Sequence, residues 1–408
     1  MSKSSASLTD PLLHSTQEFF NDPYPVFDQL RREAPVFWSE KGEYWLVSRY
    51  NDAHEILGDL HFEKGARRFK QMDAFAKLIP RANEMLGMRK NMLNANPPDH
   101  TRLRALVNKA FTPSMVSQMR SHIEDIANEL IDDVKDKGHM DLINDFSFPL
   151  PATVIAEMLG IPAKDRDRFK GWSHAITAML DPNPNPNMIN MAKTIVAVSE
   201  LTDYLKPLVE ERRNSRQKDL ISALLGSEED GQRLEQSELL SNIVLLLIAG
   251  HETTTNLIGN GTYALLRHPS QLAALKNNFE LMPAAIQELL RYDSPVQIVR
   301  RIAAQDIEIG GQKIANGQTV LLLIGAANRD PDEFENADQL NITRSKNKHL
   351  AFGHGIHHCL GSSLAETEGQ IAITQLLKRL PNMQLAQRSV TYKHPFSLRG
   401  LTELKVTF

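Results

Sequence analysis

The only cysteine of this 408-residue chain, Cys359, lies in a glycine-rich segment between Phe352 and Gly361. An amphipathic helix is predicted directly after it. The first N–H groups of a helix lack intrahelical partners and the helix dipole is positive there, so a thiolate that ligates a metal is favoured at this point. Gly353, Gly355 and Gly361 would let the backbone approach a large flat ligand. On residue type alone, the alternative is a buried cysteine that packs as a small hydrophobe.

A second group of reactive side chains interrupts an apolar helix. The stretch 237–267 has apolar residues at helical spacing nearly all round in its first half, which predicts a helix through the core. Its centre contains Ala249, Gly250, Glu252 and Thr253. A threonine can bond back to the carbonyl four residues earlier and a glycine eases a bend, so we expect the helix to open here and admit water. The alternative is a capped kink with an exposed glutamate.

Composition limits both the fold and the partners. With 41% hydrophobic residues and no linker, repeat or low-complexity run, residues 1–408 are predicted to form one domain with a large core. A net charge of −4 with interspersed signs does not favour nucleic acid. The longest apolar runs are eight residues, short of the ~18 that indicate a membrane span. One cysteine and an N-terminus without an apolar signal region lead us to expect a soluble, cytoplasmic protein.

Helical periodicity dominates the rest of the chain. The segments with apolar residues at three- and four-residue spacing are 116–137, 165–180, 188–214, 237–267, 282–292 and 361–380. Strands are fewer: residues 36–38 and 44–47 flank a Lys41-Gly42 turn as a hairpin, and residues 306–324 carry glycine turns between short β runs. The predicted class is mainly α with a small β region.

The segment around Cys359 resembles the haem-binding loop of the cytochrome P450 family. The family pattern is Phe, two residues, Gly, one residue, Arg or His, one residue, Cys, one residue, Gly. Phe352, Gly355, His357, Cys359 and Gly361 match every fixed position. The likeness covers nearly the whole chain and implies the P450 fold, haem b with Cys359 as axial thiolate to the iron, and dioxygen as co-substrate.

The centre of the long helix matches the family's oxygen-side motif of Ala, Gly, any residue, Asp or Glu, Thr, Thr. The resemblance implies two catalytic residues: Thr253, which donates a hydrogen bond to the oxygen being activated, and Glu252, which passes protons inward. Ala249 and Gly250 would lie against the haem, and the thiolate would supply electron density that favours O–O cleavage. His251 occupies the variable position and is assigned no role.

The resemblance also assigns basic residues to the two propionates of haem. Each of them alone would be read as a solvated surface side chain, and together they supply the N–H donors that carboxylates need. The four residues are His100, Arg104, Arg301 and His357. The remaining haem contacts are assigned to Phe352, Gly353 and Gly361.

Glu288 and Arg291, three apart on one helical face, match a buried Glu-x-x-Arg pair of the family. Arg344 is the matching third member of a structural triad. Spacing alone would indicate only a weak surface pair, worth a few tenths of a kcal/mol. Loss of one partner of a buried pair costs about 3 to 5 kcal/mol.

Apolar segments at the family's substrate-contacting positions predict a medium-to-large lipophilic substrate, such as a polyketide or macrolide, a fatty acid, a terpenoid or a steroid. Ordinary core packing is an equal alternative for these residues. The candidates are Met85, Met88, Met92, Leu93, Leu245, Ile248, Val296, Ile298, Val299, Phe396 and Leu398.

Electrons are expected from a separate protein, because the chain has neither a Gly-x-Gly-x-x-Gly fingerprint nor the cysteines of an iron–sulfur cluster. The resemblance implies a ferredoxin or flavodoxin with an NAD(P)H-dependent reductase, and a monomer. A basic docking patch or merely a solvated face is predicted from Arg344, Lys346, Lys348, His354 and Lys109. Glu366 stands where the family commonly has Arg, and Ala337 where Pro is usual, so the docking partner is less well determined than haem binding.

The leading interpretation is a haem-thiolate monooxygenase that hydroxylates a C–H bond or epoxidises an alkene. The alternatives are a peroxide-driven peroxygenase, a non-catalytic haem sensor or carrier, and a zinc site of His354, His357, His358 and Cys359. Glu252 and Thr253 argue against a sensor, which needs no proton relay. Adjacent side chains of the histidine-cysteine run cannot easily converge on one tetrahedral ion.

Overall fold

The computed structural model describes residues 10–13, 16–64, 90–162, 165–177, 188–393 and 396–408. Two of the predicted substrate contacts, Met85 and Met88, lie outside these residues. The α-helices are α1 Gln17–Asn21, α2 Tyr24–Glu33, α3 Tyr50–Gly58, α4 Asp99–Ala110, α5 Pro113–Lys135, α6 Pro149–Met158, α7 Arg166–Thr177, α8 Met188–Asn214, α9 Leu220–Gly226, α10 Gln236–Arg267, α11 Pro269–Asn277, α12 Met282–Tyr292, α13 Ile324–Ala327 and α14 Ser362–Arg379. The predicted class, mainly α, is confirmed.

The strands are β1 Val36–Ser39, β2 Tyr44–Val47, β3 Phe62–Glu63, β4 His139–Asp141, β5 Ile298–Ala303, β6 Ile307–Ile309, β7 Gln312–Ile314, β8 Thr319–Leu323, β9 Gln384–Leu385 and β10 Lys405–Thr407. The largest sheet has the order β1-β2-β8-β5-β3. The predicted hairpin is confirmed, with Val36 opposite Val47, and β2 continues parallel to β8. Strand β5 escaped prediction because its sequence, Ile-Val-Arg-Arg-Ile-Ala, does not alternate between apolar and polar residues.

Helix α10 runs through the main hydrophobic cluster and packs against α6, α12 and α14. It begins in a capping box, in which the side chains of Glu235 and Glu238 bond reciprocally to backbone N–H groups. It ends at Arg267, two residues before the predicted stop at Pro269. No helix in the described ranges is long and apolar enough to cross a membrane.

The predicted opening at the centre of α10 is wrong, because the helix is continuous from Gln236 to Arg267. Gly250 serves packing instead. A Cβ at this position would lie 3.1 Å from Cγ1 of Ile155, which is closer than most side-chain contacts. The glycine therefore lets α6 approach α10 closely rather than letting α10 bend.

Candidate functional site

The loop that carries Cys359 is fixed by backbone bonds and by one obligatory glycine. The Cys359 amide donates a 2.9 Å hydrogen bond to the Phe352 carbonyl. Gly355 has a φ of 70°, and a Cβ there would lie 2.7 Å from the Leu57 carbonyl oxygen of α3. Only glycine fits this position. The loop therefore holds the half-buried sulfur just ahead of α14.

Burial raises the pKa of the Cys359 thiol above its ordinary value. The Gly361 N–H and the Arg104 guanidinium act in the opposite direction, and the Glu366 carboxylate adds to the rise. The N–H at the start of the helix therefore stabilises the thiolate, as predicted, but burial has the larger effect in the polypeptide by itself. A metal ion at the sulfur would reverse the balance, because a coordinating thiol is deprotonated.

The threonine hydroxyls at the centre of α10 bond back to the helix, as predicted. The Thr253 hydroxyl donates to the Ala249 carbonyl at 2.9 Å and the Thr254 hydroxyl donates to the Gly250 carbonyl at 3.3 Å. Ala249 is exposed although most of α10 is buried, so this face of the helix borders an open space. The Thr253 oxygen remains free to accept a hydrogen bond on its second side.

Glu252 forms an ion pair with Lys393, whose Nζ lies 3.4 Å from Oε1. Both side chains are largely buried, at 12% and 24% exposed. The pair joins α10 to the C-terminal segment. It holds a carboxylate one residue from Thr253, where a group that takes up or releases protons would act.

His251, to which the sequence assigned no role, connects α10 to α7. Its Nδ1 lies 2.7 Å from the Leu247 carbonyl, which can only accept, so Nδ1 carries the hydrogen. Its Nε2 then accepts from the Ser173 hydroxyl at 2.7 Å. Burial lowers the pKa of His251, which keeps the ring neutral at pH 7.

A second buried group that sequence reasoning missed is Glu368 on α14, which is 1% exposed. Neither carboxyl oxygen has a partner of hydrogen-bond geometry among the described residues. Burial raises the pKa of this carboxyl to about 8, an effect that the nearby Thr254 hydroxyl opposes. Glu368 is therefore mostly protonated at pH 7. Its place in the apolar stripe between Leu364 and Ile371 was the signal that could have identified it.

Four of the predicted haem contacts form a basic cluster, comprising His100, Arg104, Arg301 and His357. The rings of His100 and His357 lie 4.3 Å apart. Arg301 is 2% exposed, and burial lowers its pKa to about 10. Its guanidinium donates a 3.0 Å bond to the Arg300 carbonyl. Burial and the surrounding positive charges lower the pKa of His357 to about 2, so this ring is neutral.

The basic cluster lacks anions. In the part of the chain that the structure describes, none of its four side chains forms an ion pair with an acid. The Nε2 atom of His100 is buried and has no hydrogen-bond partner there. Arg104 is close enough to Cys359 to lower the pKa of its thiol. Buried cations and an orphaned imidazole nitrogen beside a loop-held cysteine fit a metal cofactor that carries carboxylates, as haem does.

The residues of the zinc alternative do not converge. The His354 ring stacks on His54 of α3, with centroids 4.0 Å apart, whereas His357 faces His100. Across the described ranges, no group of three or more His, Cys, Asp or Glu side chains is placed to hold a metal ion. The arrangement does not support zinc.

The predicted triad forms an ion-pair cluster of Glu288, Arg291 and Arg344. Arg291 donates two hydrogen bonds of 2.8 Å to the two oxygens of Glu288, and both residues are fully buried. Arg344 donates from Nε to the same carboxylate at 3.0 Å. Arg291 also donates to the carbonyls of Asn328 and Ala337. Every charge in this cluster has a partner.

The predicted docking patch is not one surface. Arg344 is 8% exposed and committed to Glu288, and the Lys109 ammonium pairs with Glu229. Lys346, Lys348 and His354 remain exposed beside the Cys359 loop. The basic surface near the sulfur is therefore smaller than expected.

Several of the predicted substrate contacts are buried in hydrophobic clusters, as the alternative of core packing allows. Phe396 packs its ring against Phe19 at 4.9 Å, and Ile298 belongs to the same buried cluster. Met92 is also buried, and its N–H donates to the Asn242 side chain of α10. The other described candidates are Leu93, which is exposed, Ile248, which is 8% exposed, and the half-buried Leu245, Val296, Val299 and Leu398, the last of which is bridged to Val296.

Comparisons with known proteins identify one family. The family model described as Cytochrome P450 matches residues 12–385. The chain is 44% identical over 377 residues to cytochrome P450 CYP107DY1 of Priestia megaterium, covering 90% of each chain. It is 41% identical over 397 residues to the biotin biosynthesis cytochrome P450 of Bacillus subtilis, covering 97% and 98%. Among solved structures, P450BioI in complex with hexadec-9Z-enoic acid ligated acyl carrier protein is similar at a TM-score of 0.88 and 39% identity, covering 97% of this chain and 100% of that one.

Proposed function

The chain belongs to the cytochrome P450 family, and on that premise we propose that it hydroxylates or epoxidises a medium-to-large lipophilic small molecule. The family's enzymes are monooxygenases that use haem b and dioxygen. When bound, the haem supplies the oxidising power by which one oxygen atom enters the substrate and the other leaves as water. Cys359 is the residue that would ligate its iron.

The observation that carries the proposal is the basic cluster without anions beside the loop of the only cysteine. Two haem carboxylates would compensate buried cations that described acids leave unpaired. The residues that would hold the cofactor are Cys359 at the metal, His100, Arg104, Arg301 and His357 at the carboxylates, and Ala249, Gly250, Phe352, Gly353 and Gly361 along the backbone that faces it.

The centre of α10 would manage protons. The Thr253 hydroxyl donates its hydrogen to the Ala249 carbonyl and can donate it elsewhere by rotation about the Cβ–Oγ1 bond. Glu252 keeps a carboxylate at the Lys393 end of the same turn. A hydroxyl and a carboxylate one residue apart can deliver the protons that reduction of dioxygen consumes.

The substrate class rests on the apolar side chains of α10 and on the relatives. P450BioI has been solved in complex with a carrier-linked hexadecenoic acid, and PksS is named a polyketide biosynthesis cytochrome P450. We infer a fatty-acyl, polyketide, terpenoid or steroid substrate. Electrons would come from a ferredoxin or flavodoxin, reduced by an NAD(P)H-dependent reductase, at the exposed surface of Lys346, Lys348 and His354.

The experiment that tests haem-thiolate ligation is the absorption spectrum of the dithionite-reduced protein under carbon monoxide. We expect the strongly red-shifted Soret band of a thiolate-ligated ferrous haem, and its loss in Cys359→Ser. Purified protein without haem, or with an unshifted band, would overturn the proposal.

Dioxygen activation is tested separately with Thr253→Ala. We expect the ratio of product formed to NAD(P)H consumed to fall at least severalfold, with hydrogen peroxide released, because the hydroxyl donor is lost. The carbon monoxide spectrum should not change. Thr254→Ala, which removes the neighbouring back-bonded hydroxyl, is the matched control and should keep most of the coupling. Full coupling in Thr253→Ala would refute this role of the hydroxyl.

A further inference from the structure

Lys64 follows β3 and is held at its backbone by one side chain. The Lys64 amide donates to Oδ1 of Asn96 at 2.9 Å, and Nδ2 of Asn96 donates to the Lys64 carbonyl at 3.2 Å. The Asn96 carbonyl in turn accepts from the His100 amide at 2.9 Å. Asn96 therefore fixes Lys64 relative to the first turn of α4, where one member of the basic cluster lies.

The sheet places Lys64 beside a second member of that cluster. Strands β3 and β5 are antiparallel, with Glu63 opposite Ile302. Continued by one residue, this register puts Lys64 opposite Arg301, and directly opposite residues share a face of a sheet. Like charges in this position are destabilising unless an anion lies between them.

The pKa directions of these groups agree with this placement. Burial lowers the pKa of Lys64 well below its ordinary value, and the positive charges of Arg301 and Arg300 lower it further. Burial also lowers the pKa of His100, with smaller contributions from the positive charges of Arg104 and Lys64. Within the described ranges, no Asp or Glu forms an ion pair with Lys64, and the buried Nε2 of His100 has no partner. Five basic side chains from four separate segments are thus grouped together with no described acid paired to them.

We propose that Lys64 is a further haem-binding residue, whose ammonium donates a charge-assisted hydrogen bond to a carboxylate of the cofactor beside Arg301. The inference rests on the proposed function, since the anion belongs to haem. The family motifs did not assign Lys64. Arg104 and Arg301 already match the two negative charges of the haem carboxylates, so the Lys64 ammonium adds a surplus positive charge. The surplus positive charge favours uptake of an electron by the cofactor.

The test uses the full-length holoenzyme and three substitutions at this position. Lys64→Met removes the charge at similar length, Lys64→Gln removes it but keeps a donor, and Lys64→Arg retains it. Lys313→Met, at an exposed position of β7, is the control. We measure the rate of haem transfer to excess apomyoglobin, the reduction potential by spectroelectrochemistry, and the carbon monoxide spectrum.

We expect haem loss from Lys64→Met to be about tenfold faster, with a more negative reduction potential and an unchanged thiolate Soret band. Lys64→Gln should lie between Lys64→Met and the wild type in haem loss, and Lys64→Arg and Lys313→Met should match the wild type. A thiolate band together with wild-type haem loss and potential in both Lys64→Met and Lys64→Gln would overturn this inference alone. A wild-type protein without the band would overturn the proposed function as well.

Discussion

Two buried groups of charged side chains are completed in opposite ways. In the ion-pair cluster, Glu288 accepts from both Arg291 and Arg344, and the remaining Arg291 donors reach backbone carbonyls. In the basic cluster, Arg301 and His100 are as deeply buried, yet no described acid pairs with them. The first group needs nothing beyond the chain and can hold the fold; the second is unfavourable until an anionic ligand arrives. Buried charge thus marks architecture where it is paired and a cofactor site where it is not.

The largest effect on stability is expected from a substitution in the ion-pair cluster. Arg291→Ala leaves the fully buried Glu288 carboxylate short of its main partner, which should lower the free energy of unfolding by about 3 to 5 kcal/mol. Urea denaturation and the haem content of the purified protein measure this, and we expect little haem-loaded material. Arg32→Ala is the control, since its pair with Asp28 is 68% exposed on the arginine side and worth less than about 1 kcal/mol. Normal haem content in Arg291→Ala would contradict the structural role.

Removing a cation from the basic cluster should raise, rather than lower, the free energy of unfolding in the absence of haem. Arg301→Met removes a desolvated guanidinium, so the free energy of unfolding of protein prepared without haem should rise by about 1 to 3 kcal/mol, as measured by urea denaturation. The holoprotein should lose haem faster, because a donor to the cofactor is lost. Lys313→Met, at an exposed position of β7, is the control. Destabilisation of the haem-free protein by Arg301→Met would show that the basic cluster is already paired within the chain.

Glu368 represents a third case, in which a buried acid remains uncharged. Its pKa rises from 4.5 to about 8 on folding, so the native state holds the proton more tightly than the unfolded chain does. The contribution of Glu368 to stability should therefore be greatest below about pH 4.5 and be lost as pH rises towards about 8. Between pH 6 and pH 7, we expect the wild type to lose about 1 kcal/mol relative to Glu368→Gln in urea denaturation. Glu403→Gln, exposed and paired with Lys405, is the control; parallel pH profiles of wild type and Glu368→Gln would exclude a raised pKa.

Local spacing was enough to find the parts of the site that lie close together in sequence. The Cys359 loop, the back-bonded Thr253 and the Glu288–Arg291 pair each occupy a few consecutive turns. Lys64 and Glu368 could not be found that way, because one acts through the β3–β5 register and the other through the packing of α14 on α10. The prediction of a bend in α10 was wrong for a similar reason, since glycine is needed at position 250 for the close approach of Ile155 on α6.

The fold shows the same division between elements that local sequence predicts and pairings that depend on distant residues. The β1–β2 hairpin is short-range and was predicted, whereas its parallel partner β8 and the strand β5 come from the other end of the chain. Phe396 was predicted either to contact substrate or to pack in the core, because its local sequence does not show the N-terminal aromatic rings that enclose it. Tertiary contacts decide such positions, and one sequence does not show them.

The parallel pairing of β2 with β8 also sets the order of events during synthesis. About 270 residues separate Val47 from Thr319, so at ~5 to 20 residues per second the first strand waits roughly 15 to 50 s on the ribosome for its partner. Cys359 is made later still. Haem can therefore be captured only near the end of translation or afterwards, and until then the edge of β2 is open to pairing with other nascent chains.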